Sequence, residues 1–143
     1  RVASVIEPSD IQGSLTGWGE SSSSGTYDET TYPPVLDNIG SIEQTWTCTF
    51  TSATAYACVG NTVGSVGNGS IGGGDFAPNN GDFSKPYFTL ADTGWGGTWA
   101  SADTVSFTTH PAATAIWQKR TVPAGASSLS GDKVIIAISG ESA

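Results

Sequence analysis

The stretch Gln44-Thr45-Trp46-Thr47-Cys48-Thr49-Phe50-Thr51, then Ser52-Ala53-Thr54, then Ala55-Tyr56-Ala57-Cys58-Val59-Gly60, decides how this chain folds. In its first arm Trp46, Cys48 and Phe50 alternate with Thr45, Thr47, Thr49 and Thr51. Alternation of period two with aromatic and β-branched residues marks a strand that buries one face and wets the other. Folding the segment about Ala53 sets Phe50 opposite Tyr56, Cys48 opposite Cys58 and Trp46 opposite Gly60, all on one face. The only two cysteines of the chain then meet across a hairpin, where directly opposed side chains come close enough for an S–S bond. We expect a Cys48–Cys58 disulfide, which across so short a loop stabilises by about 2–3 kcal/mol through loop-closure entropy. The alternative is a pair of buried free thiols. Two sulfurs with one distant histidine do not complete a tetrahedral metal shell.

Around this hairpin the composition is that of a single β domain spanning residues 1–143. The chain of 143 residues is long enough to bury about two thirds of its unfolded surface. Charged residues make up only 13%, with thirteen acids against five bases and a net charge of −8. Solubility must come instead from uncharged polar groups, and 37 residues are Ser or Thr. Such a surface suits secreted and particle-forming β proteins better than cytosolic enzymes, which carry about twice this charge fraction. No basic stripe exists for a nucleic acid, and Lys119-Arg120 is the one adjacent pair of bases. The longest apolar run, Val134-Ile135-Ile136-Ala137-Ile138, is too short to span a bilayer, so no membrane insertion is expected. One cysteine pair at hairpin spacing fits an oxidising location, extracellular or on a virion surface. The start at Arg1 and not Met leads us to expect that an upstream segment has been removed.

Along the chain, turn signals recur at short intervals and no long helical pattern occurs. Residues 1–6 read as a short apolar strand stopped by Pro8, and Ile11–Thr16 as a second. Gly17-Trp18-Gly19-Glu20 opens a Ser-rich loop through Ser24, and Tyr32-Pro33-Pro34 fixes an extended segment. A strand from Asn61 leads into glycines between Gly67 and Gly74, which we place in turns or bulges. Further strands are expected at Tyr87–Leu90, Thr104–Thr109 and Lys133–Ser139, with 115–122 either strand or a turn or two of helix. Eight to ten short strands with long Gly/Ser-rich loops predict an all-β sandwich or barrel. Thr16-Gly17-Trp18-Gly19 and Thr93-Gly94-Trp95-Gly96 echo one another and read as turns whose rings cap its ends.

Residues that could carry chemistry are sparse. The single histidine, His110, precedes Pro111 and reads as a strand end; no G-x-S-x-G turn accompanies it, and no enzyme is expected. Asp75, Asn79, Asn80 and Asp82 offer oxygen ligands in one loop, a weak calcium candidate that Asx turns explain equally well. Trp18, Trp95 and Trp99 lie among glycines, where exposed rings form platforms on which sugars stack; filling of a core poor in large aliphatics is the competing use. No cofactor is implied.

In composition alone the chain is similar to β-rich subunits of phage particles and extracellular filaments. That similarity implies a structural subunit whose partners are copies of itself or other subunits of the same assembly. The alternative is a secreted carbohydrate-binding module, with glycans as partners. Under the first reading Val2, Val5 and Ile6, in residues 1–8, form an apolar strand that is exchanged onto the sheet edge of a neighbour. The long loop through Ser24 is expected to supply the reach.

Overall fold

The structure, a computed structural model, describes residues 13–112. Its nine strands, numbered in chain order, are β1 (Ser14–Ser21), β2 (Gly25–Tyr27), β3 (Gln44–Phe50), β4 (Ala55–Gly60), β5 (Gly64–Ser70), β6 (Asn79–Asn80), β7 (Lys85–Pro86), β8 (Trp95–Gly97) and β9 (Thr104–His110). The fold is all-β. The hairpin forms in the register read from the sequence: Trp46 opposite Gly60, Cys48 opposite Cys58, Phe50 opposite Tyr56. On its other side β3 pairs antiparallel with β9, placing Trp46 opposite Phe107 and Cys48 opposite Val105. One five-stranded sheet results, in the order β1-β9-β3-β4-β5, with β1 and β5 as its two edges among the described residues.

The two faces of this sheet differ as the alternation demands. Inward lie Trp46, Cys48, Phe50, Tyr56, Cys58, Val105 and Phe107, all buried. Outward, Thr45 faces Thr108, Thr47 faces Ser106 and Thr49 faces Thr104, with the Thr45 and Thr108 hydroxyls 2.9 Å apart. Cross-strand hydroxyl pairs of this kind hold neighbouring strands in register while keeping the face wet. Among the described residues the inner face is covered by short elements. These are the ribbons β2–β8 and β6–β7 and the isolated bridges Val35–Thr89 and Phe76–Leu90. From this cover Phe88 packs on Trp46 and Phe107, at 4.9 and 5.0 Å between ring centroids, and Trp99 stacks on Phe50 at 4.3 Å.

Tyr87–Leu90, expected as a strand, pairs among the described residues through two isolated bridges, Thr89 to Val35 and Leu90 to Phe76. The Gly-Trp-Gly segments do not cap the ends. The first lies within β1, where the register slips between Thr16 and Gly19 and Gly17 takes φ +65°. That bulge turns the Trp18 ring onto Phe107, stacked at 5.4 Å. The second is a 3₁₀ turn, Asp92–Gly94, running into β8, with Trp95 packed against Tyr27, Phe50 and Tyr56. The glycines of β5 continue the sheet rather than ending it, with a bulge opposite Cys58 and Val59. Strand expectations at 1–6, 115–122 and Lys133–Ser139 lie outside the described residues.

Trp99 is 2% exposed. An added Cβ on Gly25 would overlap its ring, so the β2 backbone itself forms one wall of the slot. Trp99→Ala is therefore expected to cost about 3–5 kcal/mol, whereas Trp99→Phe costs less than half of that. Urea midpoints of the two variants check this, and equal losses contradict it. A second expectation concerns pH. Burial pushes the Tyr27 phenol up to about 12, against the opposing effect of the Ala91 N–H that donates to its oxygen; burial raises Tyr56 as well. Each phenol is held neutral in the fold, so its contribution is intact below the unfolded pKa of about 10. It is lost as pH climbs from there through about 12. Melting temperature should be flat in this respect up to pH 10 and then fall, and a curve flat to pH 12 contradicts the reading.

Candidate functional site

Cys48 and Cys58 lie where the hairpin arithmetic puts them, fully buried with their sulfurs 2.7 Å apart. Both stand as free thiols in this structure, directly opposed across the hairpin as the expected disulfide requires. The hydrogen bond to Cys58, and then burial, raise the Cys48 thiol well above the usual thiol range.

The three tryptophans do not form one exposed platform. Trp99 is core, and its Nε1 is buried without a hydrogen-bond partner among the described residues. Trp95 packs at the margin of the same core, 5.5 Å from Trp99 and edge-on. Only Trp18 combines packing with a surface role. Its Nε1 donates to Glu20 at 3.0 Å, and the same Glu20 oxygen accepts the Tyr27 N–H at 3.0 Å, tying β1 to β2.

The calcium candidate is not brought together as a ligand set. Asp75 accepts the Asp92 N–H at 2.9 Å, on the side where Asp92 in turn accepts the Gly72 N–H. Asn80 is buried, donating to the Gly40 carbonyl at 2.9 Å while its oxygen accepts the Asp82 N–H. These side chains close turns, as Asx residues do, and Asn79 faces Pro86 in the β6–β7 ribbon.

His110 takes a position its sequence context did not announce. Its Nδ1 meets the Glu43 carboxylate at 2.7 Å, and its Nε2 meets the Thr16 hydroxyl at 2.7 Å. The order hydroxyl, imidazole, carboxylate is that of an acyl-transfer relay. Yet the cavity that Thr16 borders includes neither His110 nor Glu43, and the three groups span β1, β9 and the residue before β3. Their evident work is to pin the edge strand to the sheet.

The feature that sequence reasoning missed lies beside β1. Leu15 and Trp18 point inward from this edge strand, and Pro33, Pro34, Val35 and Leu36 stand across from them. Between them run two adjoining cavities of about 240 and 350 Å³, the first also bordered by Thr16, Gly17 and Glu29. Val35 at its rim is 64% exposed. The signal was present in Pro33-Pro34, which cannot complete a ladder and therefore leaves the cover standing off from the edge. Val2, Val5 and Ile6 lie outside the described residues. Among the described residues, no helix is long and apolar enough to cross a membrane.

Compared with known protein families, curated proteins and solved structures, the chain finds no match.

Two measurements bear on these sites. Intact mass after alkylation in denaturant, with and without reductant, should show the Cys48–Cys58 pair closed in protein isolated from an oxidising compartment; alkylation of both thiols without reduction contradicts this. His110→Ala removes the bond that pins β1 to β9 and the contact from β9 to Glu43, and should lower stability by about 1 kcal/mol. The urea midpoint should fall at constant slope, and an unchanged midpoint shows that the relay holds nothing.

Proposed function

We propose that this chain is a structural subunit of an extracellular or virion assembly, joining copies of itself, or other subunits, through the edges of its sheet. The observation that carries the reading is a conjunction at β1. An edge strand without a second partner among the described residues lies beside an apolar cleft, and an apolar segment with Val2, Val5 and Ile6 lies a few residues before it in sequence. A free edge in water is a hazard unless blunted or used, and β-strand addition uses it, giving main-chain hydrogen bonds and side-chain pockets at once. A hydroxyl-rich outer face and a low charge fraction suit close packing of many copies, since few charges need be desolvated between them. One detail of the sequence reading changes. Because β1 already begins at Ser14, the reach of the N-terminal segment comes from residues 7–13 and not from the loop through Ser24.

A second reading is favoured by Trp18 alone, whose ring borders a cavity together with Glu29. An aromatic face with a nearby carboxylate is the chemistry that holds a sugar ring, so the chain would then be a carbohydrate-binding module.

Deletion of residues 1–7 separates the readings. For a structural subunit, size exclusion and negative stain should show loss of large species while the truncated chain keeps its far-ultraviolet spectrum. For a glycan binder, the intact chain stays small and is retarded on polysaccharide gels, and Trp18→Ala abolishes the retardation. A truncated chain that assembles as well as the intact one overturns the strand-exchange mechanism.

A further inference from the structure

We infer that Asn68, on β5, is a site of N-linked glycosylation, carrying a glycan transferred from a lipid-linked sugar donor. The inference rests on the extracellular location in the reading above and not on assembly.

The chain has five asparagines, and one of them, in Asn68-Gly69-Ser70, stands in the acceptor pattern: Asn, any residue but proline, then Ser or Thr. The pattern is short, so its placement in the fold decides whether it is usable. Gly69 lies opposite Tyr56, and an added Cβ there would overlap the Tyr56 ring. Position 69 therefore faces the core, and the side-chain period of two turns Asn68 and Ser70 outward together. Both are exposed. A slip of one residue would drive a side chain into the Tyr56 ring, so this arrangement is strongly specified.

The Asn68 carboxamide differs from others in the chain. Asn38, Asn61 and Asn80 each accept a main-chain N–H and so hold local structure. Asn68 has no such bond among the described residues, and a sugar on its nitrogen displaces no contact described here. There is also room for the root of a glycan. Across the ladder Asn68 faces Ala57, and Ser70 faces Ala55, so a first sugar meets only methyl groups on that side. A cavity of about 310 Å³ is bordered by Asn68, Ser70, Asp75 and Phe76 together with Gly73 and Gly74. Pockets that hold small organic ligands begin at about 300 Å³, so the space suits a single ring. Phe76 supplies an aromatic border for the apolar face of a sugar. Asp75 uses one carboxylate oxygen on the Asp92 N–H, and its other oxygen is left for a sugar hydroxyl.

The transfer balances without oxidant or reductant. A bond forms between Asn68 Nδ2 and the anomeric carbon of the donor sugar. The bond from that carbon to the donor's phosphate oxygen breaks, the lipid phosphate leaves with the electron pair, and Nδ2 gives up one proton. Glycines at 64, 67, 69 and 72–74 keep the stretch pliant before β5 closes, so a transferase can turn the amide and the Ser70 hydroxyl toward each other. For a surface with so few charges, a glycan adds hydration that its side chains lack.

The test uses the full chain purified from its natural source, digested without reduction and mapped by mass spectrometry. The peptide holding Asn68 should carry hexose or N-acetylhexosamine on that residue. Asn68→Gln and Ser70→Ala, produced in the same source, should each lose the modification completely, and Ser70→Thr should keep it. All three should retain the far-ultraviolet spectrum, since both positions are exposed. Bare Asn68 with the Cys48–Cys58 bond closed overturns the site and leaves the extracellular reading standing. Bare Asn68 with both thiols open overturns the two together. Aspartate at position 68 without sugar, the product of Asn-Gly deamidation, also overturns the site, as does a glycan that survives Ser70→Ala.

Discussion

Trp46 sits where sheet and cover meet, and its surroundings set the terms for the rest of the molecule. The ring is fully buried, with Phe88 at 4.9 Å and Tyr87 at 5.2 Å from the cover. Its Nε1 donates to the buried Thr109 hydroxyl at 2.8 Å, which donates onward to the Ile42 carbonyl at 2.7 Å. A buried indole N–H without a partner would cost about 1–3 kcal/mol, and this chain of bonds spares Trp46 that cost. It also couples β3 to β9 through side chains as well as through the ladder. On the far side, Gly60 leaves room for the ring, since a Cβ there would stand 2.7 Å from it. The identities of Trp46, Gly60 and Thr109 thus depend on one another across three strands.

From that centre an aromatic network runs outward through Phe107, Phe50, Tyr56, Trp95 and Trp99. A chain with few large aliphatics packs its single core with rings, whose edge-to-face and stacked contacts add to the area they bury. The opposite face needs no such filling. Its threonines and serines pair across strands and hydrate without charge, which explains how a chain with so few charged residues presents a broad sheet face to water.

How far the sequence could be read follows from the range of each signal. The β3–β4 register was legible because alternation and a three-residue turn are local, and side-chain period fixes which residues face one another. The β9 strand was legible for the same reason, from Val105 and Phe107 between threonines. Trp18 was misplaced because a bulge looks like a turn when only Gly-Trp-Gly is visible; what made it strand was pairing with β9, some ninety residues away. The cleft was invisible because it is formed by Leu15 and Pro33–Leu36, which meet only in the fold. Likewise His110 had no local mark of its contacts with Glu43 and Thr16, both distant in sequence. Asp75 and Asn80 looked like ligands because a turn-closing carboxylate or carboxamide and a metal-binding one use the same atoms.

The sheet therefore has a firm centre and unequal edges. β5 is rich in glycine and exposed residues, with little for another strand to pack against, whereas β1 is pinned by His110, anchored by Trp18 and flanked by an apolar cleft. The central claim is that the β1 edge is covered in the working protein. Residue-resolved amide hydrogen exchange on the intact chain tests it most directly, at those amides of 13–16 that point away from β9. The account predicts protection there approaching that of β9 itself. Exchange as fast as at the outward amides of β5 would show the edge open to water and would contradict the account.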